Sequence, residues 1–238
     1  METPGALPLS GDFEFQALAE ARNYRNALLE EFRPYLKGDI LEIGAGIGQF
    51  TETVRPLDAL RRLVSVEMDK RLCALFRERH PGFELVEGTV ADLPAGTEGD
   101  AILSINVLEH IREDAAELAA YRNLLARRGG HLCLFVPARP ELYAPIDRDF
   151  GHIRRYTRDG LKRLLREAGF DIVRLDYFNS VGYVTWWILF RLLKKRHFDP
   201  GAIRLFDRVI FPVAHALESR VCRPPFGQSL LAVARAFP

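Results

Sequence analysis

Leu41-Glu42-Ile43-Gly44-Ala45-Gly46-Ile47-Gly48 decides the fold class of this chain. The apolar run Ile40–Ile43 predicts a short buried strand. The three alternating glycines predict a sharp turn, and a helix is expected to follow to about Val54. A strand that feeds a glycine-rich turn and then a helix builds a site for a polar ligand. Glycine permits the turn and lets the ligand approach the backbone at a helix N-terminus. The dinucleotide fingerprint G-x-G-x-x-G would place its third glycine at position 49, which is Gln49. The spacing is instead G-x-G-x-G, with Glu42 two residues ahead of it.

Outward from that turn the same rhythm repeats. Strands are expected at 62–67, 83–87, 100–105, 131–136 and 170–177, with a last one at 229–235. Helices are expected at 13–36, 69–80, 111–126 and, capped by Thr157, up to Ala168. Alternating strands and helices imply a parallel sheet covered on both faces. Two segments break the alternation: a long loop at 138–156, and an apolar, basic, helical stretch at 178–228. Long loops in compact domains are usually functional.

Composition narrows the class further. The 238 residues are 48% hydrophobic and 27% charged, ordinary globular values that exclude a disordered, collagenous or coiled-coil chain. The longest strongly apolar stretch, Val181–Phe190, is too short for a spanning helix, which needs about 20 residues. The N-terminal residues lack the basic start and apolar centre of a signal peptide. Cys73, Cys133 and Cys222 form neither a disulfide framework nor a metal motif, so a cytoplasmic setting is expected. The net charge of +1 gives no global attraction to nucleic acid. Residues 179–238 nevertheless hold nine Lys or Arg against three Asp or Glu.

These features resemble the class I S-adenosylmethionine-dependent methyltransferases. The matching motifs run in order: Glu42 to Gly48, the acid Glu67 ending the next strand, Asp92 in Gly88–Leu93, the turn Ser104–His110, and Leu124 through Gly130 into the strand at 131–136. The resemblance implies an α/β, Rossmann-like, seven-stranded mixed sheet with helices on both faces, an N-terminal helical cap and a C-terminal helical insertion. The chain then divides into a tail and cap helix (1–37), the cofactor-binding core (38–177), the insertion (178–228) and the last core strand (229–238). The implied cofactor is S-adenosylmethionine. Glu42, Gly44, Ala45, Gly46 and Gly48 would form its methionine-side turn. Glu67 would take the ribose hydroxyls, with Met68 against the adenine. Asp92 would accept from the adenine amino group, flanked by Val90 and Ala91. Asn106 would line the sulfonium side. Tyr24 is a candidate for the cofactor carboxylate, with core packing as its alternative.

The acceptor is expected at the carboxyl ends of the strands. The Asn/Asp-Pro-Pro-aromatic turn of many base-amino methyltransferases is absent from Ser104–Val107, which argues against nucleic acid. In the loop, His152 is the first candidate general base because imidazole titrates near neutrality. Asp147 would orient it or bind substrate, and His110 ranks next. Tyr143, Arg155 and Tyr156 are candidates to bind the acceptor. The competing reading makes Asp147, His152 and the arginines an ion-paired latch. No metal is called for. O-methylation of a hydroxyl or carboxyl on a small-molecule, glycan or lipid-linked acceptor is the expected reaction. N- or C-methylation of a secondary metabolite, and a non-catalytic scaffold, are the alternatives.

The insertion places Trp186 and Trp187 before Arg191 and Lys194–Arg196. Aromatics beside cations suit a helix at a membrane interface, so residues 181–196 are a candidate peripheral membrane contact. A core-packing cap or dimer interface is the alternative. The D-R-x-x-G-H-x-R-R-Y-T loop from Asp147 and the Gly182–Trp187 segment resemble a bacterial subgroup of these enzymes often encoded beside glycosyltransferases.

Overall fold

The computed structural model of the protein describes residues 21–196, 199–220 and 223–237. Its centre is a seven-stranded sheet: β1 (Gly38–Ile43), β2 (Leu60–Glu67), β3 (Glu84–Glu87), β4 (Ala101–Ile105), β5 (His131–Pro137), β6 (Phe170–Phe178) and β7 (Ser229–Ala236). The spatial order is β3-β2-β1-β4-β5-β7-β6. Strands β1 to β5 pair in parallel, and β7 lies antiparallel to both β5 and β6.

The sheet is apolar on both faces because its central strands are apolar at consecutive positions. Leu132, Leu134 and Val136 of β5 face one core, joined there by Leu230 and Ala232 of β7. That core is closed by α4 (Asp114–Ala126) and α6 (Arg158–Glu167) through Leu118, Tyr121, Leu125, Leu161 and Leu165. The intervening residues Cys133, Phe135, Leu231 and Val233 face the opposite core. There they meet Leu28, Leu29 and Phe32 of α1 (Arg22–Phe32), and Val54 of α2 (Thr51–Val54). Helix α3 (Lys70–Arg79) follows β2, with Asp69 accepting from the N–H groups of Arg71 and Leu72 as its N-cap.

The fold class agrees with the sequence expectation, and the differences are local. The helix expected from Ile111 begins at Asp114, because Leu108–His110 closes a separate 3₁₀ turn. The helix after the glycine turn is only one turn long. The loop at 138–156 is not structureless: it contains a 3₁₀ turn, Pro140–Leu142, and a short helix, α5 (Pro145–Asp149). A parallel bridge from Ala138 to Tyr156 ties its two ends together. Residues 13–20 of the expected first helix, and Cys222, lie outside the described residues.

The insertion forms α7 (Ser180–Trp186), which continues as a π-helical segment Trp187–Leu192, then α8 (Pro200–Leu205), a second π-helical segment Phe206–Ile210, and α9 (Phe211–Arg220). Trp186 and Phe190 pack on Leu142, Ala144 and Ile146 in a third apolar cluster, so the insertion sits on the 138–156 loop. Among the described residues no helix is long and apolar enough to cross a membrane.

Candidate active site

The chain leaves β1 towards β2 and leaves β4 towards β5, on opposite sides. The carboxyl ends of β1 and β4 therefore form a switch point, where ligands of open α/β sheets bind. Gly44, Gly46 and Gly48 follow β1 with φ of 74°, 57° and 83°, the left-handed region that costs a side chain. A Cβ on Gly44 would stand 2.3 Å from Val107, and one on Gly48 would stand 2.3 Å from the His80 ring. His80 is buried between Phe76 and Phe83 with Nε2 3.1 Å from the Ile47 carbonyl, so it pins the turn from behind.

Glu67 ends β2 and fixes the turn from the front. Its Oε2 accepts from the Gly46 N–H at 2.8 Å and its Oε1 from the Asp69 N–H at 2.9 Å. Each oxygen keeps a second lone pair for another donor. Met68 follows with its side chain 71% exposed, an apolar surface beside a fixed carboxylate. Glu42 is buried, and its Oε2 accepts from Thr51 Oγ1 at 2.5 Å and Ser65 Oγ at 2.9 Å. Burial pushes its carboxyl up to about 7 despite those two bonds, and the charge of Glu67 adds to the rise. Asp92 closes the turn Val90–Asp92: its Oδ2 accepts from the Thr89 N–H at 2.7 Å and from Thr89 Oγ1 at 3.0 Å. These bonds hold its carboxyl below the usual range. Val90 packs against the core, and Ala91 is exposed. Asn106 takes φ of 53° at the end of β4, and its N–H donates to the Phe135 carbonyl at 2.9 Å.

Asn106 also lines a cavity of about 420 Å³ between the sheet edge and the insertion. Tyr24, Phe135, His152, Arg155 and Trp186 share its wall. Most of these side chains are apolar or aromatic, as small-molecule sites usually are. Asp147 organises the polar part. It is fully buried, and its Oδ1 accepts from Arg155 Nε at 2.8 Å and lies 3.1 Å from His152 Nδ1. Its Oδ2 accepts from the Ala144 N–H at 2.8 Å. Burial would raise this carboxyl, but the His152 bond and the Arg155 charge outweigh it and hold it low. Arg155 also donates to the Ala138 carbonyl and lies 4.6 Å from the Trp186 ring centre. His152 Nε2 faces the buried Glu109 carboxylate at 3.8 Å. The His110 ring stands edge-on to His152 with centroids 4.9 Å apart. Desolvation and the neighbouring His152 push His110 down to about 4.

The structure therefore brings His152, Asp147, Arg155 and His110 together, and it separates the other candidates from them. Tyr156 is buried in the core with its hydroxyl on the Leu108 carbonyl and Asp114, not in the cavity wall. Tyr143 donates to the His152 carbonyl at 2.8 Å and holds the loop. Tyr24 packs edge-on against Phe135 and Phe178, hydrogen-bonded to Ser229, on the cavity side rather than on the glycine turn. Burial raises its hydroxyl well above the ordinary value. Glu109 was missed by sequence reasoning; an acid within Val107-Leu108-Glu109-His110-Ile111 was the available signal. Ligand atoms of Glu109, His110 and His152 lie within 4.8 Å of one another, near enough to converge on one cation.

A family model described as a methyltransferase domain matches residues 15–175. The chain belongs to this methyltransferase family. It is 28% identical over 188 residues to a protein of Mycolicibacterium smegmatis named as a probable S-adenosylmethionine-dependent methyltransferase, covering 75% of this chain and 72% of that one. The methyltransferase also shares its fold with an S-adenosylmethionine-dependent methyltransferase from Archaeoglobus fulgidus (TM-score 0.60, 18% identity, 95% and 97% of the two chains). A structure of DhpI in complex with SAH aligns with a TM-score of 0.56 at 17% identity over 97% and 98% of the chains. The cofactor of the methyltransferase is S-adenosylmethionine. The residues present fit it: a turn of three glycines at positive φ after β1, a fixed carboxylate at Glu67, and an exposed apolar side chain beside it.

Proposed function

We propose that the methyltransferase transfers a methyl group to a hydroxyl or carboxyl oxygen of a small, partly apolar acceptor, glycan and lipid-linked molecules included, held in the cavity beside Asn106. The observation that carries this reading is His152 in the cavity wall, held by the buried Asp147 behind it. Bound S-adenosylmethionine supplies a methyl group already activated on a sulfonium. What remains for the protein is to position the acceptor, exclude water and remove a proton. The aromatic wall desolvates the acceptor. For a hydroxyl acceptor, Asp147 holds the Nδ1–H of His152, which leaves Nε2 to take the hydroxyl proton as the oxygen gains the methyl group; a carboxyl acceptor is already ionised and needs no base. Glu109, 3.8 Å from Nε2, faces the imidazolium that forms. Arg155 is held by Asp147 and the Ala138 carbonyl, so its charge keeps the Asp147 carboxylate ionised.

His152→Ala should lower turnover by about 10²–10⁴-fold, the usual contribution of a general base. Cofactor affinity measured by calorimetry should stay unchanged, and an equal loss of folding stability would favour the latch. The Glu109, His110 and His152 cluster favours one second reading, in which these side chains ligate a divalent cation that acidifies the acceptor. Turnover that survives chelation assigns His152 as the base. Turnover abolished by chelation and restored by a divalent ion assigns it as a ligand.

A further inference from the structure

Of the fourteen large apolar side chains exposed among the described residues, ten lie between 184 and 217, all on the insertion. Their spacing is regular. Leu205, Val209, Val213 and Leu217 recur every fourth residue, opposite the buried Asp207 and Phe211. On the other helix, Val184, Ile188 and Leu192 lie opposite Gly182, Trp186 and Phe190, which are buried. A helix whose inner stripe is packed usually turns polar residues outward. Both of these turn aliphatic ones outward, between 41% and 59% exposed on the first helix and between 55% and 63% along the second stripe. The two helices are joined: Glu218 Oε1 accepts from the Ser180 N–H at 2.8 Å.

Exposed cations accompany the apolar stripes. Arg191, Lys194 and Lys195 follow the first, and Arg204 and Arg208 sit beside Leu205 and Val209. The one acid within the second stripe's span, Asp207, is buried and turned inward to the N–H groups of Asn23 and Tyr24. The outward surface is therefore apolar and positive. The cavity meets it directly, since Leu205 and Ile210 are both exposed and part of the cavity wall. The same wall includes Leu189, Phe190, Phe206 and Asn106.

We propose that the outward face of residues 184–217 docks on the surface of an anionic lipid bilayer, and that the cavity mouth on that face admits an acceptor resident in the membrane. Apolar side chains enter the acyl boundary while the flanking cations meet anionic headgroups. The acceptor half rests on the oxygen-methylation reading above; the docking half does not, because it needs no turnover.

Co-sedimentation of the full chain with vesicles tests it. The protein should pellet with phosphatidylcholine–phosphatidylglycerol vesicles, and much less with phosphatidylcholine alone. Added salt should weaken the association, because surface charges are screened. The double variant Val209→Glu with Val213→Glu should partition about tenfold less, with melting temperature and cofactor affinity unchanged. These two positions are outside the cavity wall, so the acceptor site is intact in the variant. Wild-type protein that stays in the supernatant overturns the proposal, as does equal sedimentation with both vesicle types or by both proteins. A stable dimer in solution that the double variant converts to monomer also overturns it, by assigning the face to a second copy of the chain.

Discussion

Glu42 is a carboxyl group removed from water and facing another carboxylate, and this gives its own contribution to stability a pH dependence of known sign. Its folded value of about 7 lies above the ordinary 4.5. Between those values this carboxyl holds its proton in the folded state and loses it in the unfolded chain, so its contribution to stability falls as pH rises through the window and levels above it. His110, pushed down to about 4, contributes in the opposite sense. Glu42→Gln should remove the falling contribution, so that stability rises more, or falls less, with pH than in the wild type, because a carboxamide oxygen still accepts from Thr51 and Ser65 but has no proton to lose. Urea midpoints measured from roughly pH 5 to pH 8 check this, since a midpoint shift at constant m-value reports stability; an unchanged slope would remove Glu42 as its source. The glycine turn and its acids were legible in the sequence because local geometry demands those residue types at that spacing. The surroundings of His152 were legible only in part. Asp147 lies five residues away and was readable as a partner. Glu109 reaches it only through the fold, across forty-three positions of sequence. Tyr156 looked like a ligand group by type and loop position, and packing made it a core residue instead.

Helix α1 shows how far an element's stability can depend on a distant one. Its N-cap position is Ala21, which offers no side-chain acceptor. The N–H groups of Asn23 and Tyr24 instead donate to Asp207 Oδ2 and Oδ1 at 3.0 and 2.9 Å, from the middle of the insertion. Asn23 Nδ2 also donates to the Asp207 carbonyl at 3.0 Å. Asp207→Ala should therefore cost about 2 kcal/mol, since it deletes two bonds to a charged acceptor. Denaturant unfolding measures this, and a change within experimental scatter would show that α1 needs no cap. The sequence carried only a faint trace of this tie, one acid inside the apolar run Leu205-Phe206-Asp207-Arg208-Val209. Elements with a strong period of their own were readable: the strands from consecutive apolar residues, and α6 from its Thr157 cap, whose Oγ1 accepts from Gly160 N–H at 3.0 Å. The helices of the 138–156 loop were not, because they are one turn each and their apolar side chains pack against the distant insertion.

On the scale of the whole molecule, Trp186 is the joint between the two segments that broke the sequence rhythm. Its Nε1 donates to the Leu142 carbonyl at 3.2 Å, and its ring covers the Arg155 guanidinium. Trp186→Ala should destabilise the protein by about 3–5 kcal/mol, as aromatic truncations in cores do. Amide hydrogen exchange should accelerate across 138–156 more than in β1–β4; uniform acceleration would mean that the loop is ordered without the insertion. The sheet order adds a consequence for how the polypeptide acquires its shape. Strand β6 has no neighbour except β7, and residues 179–228 separate them. Closing that span costs roughly 2 kcal/mol more chain entropy than a tight hairpin. As the ribosome lengthens the chain, β1 to β5 can pair while β6 waits. The aliphatic insertion emerges during that wait, before the strand that closes the sheet exists. The nascent protein thus shows its greasiest segment to the cell at its least finished moment, when a chaperone or a bilayer can reach it.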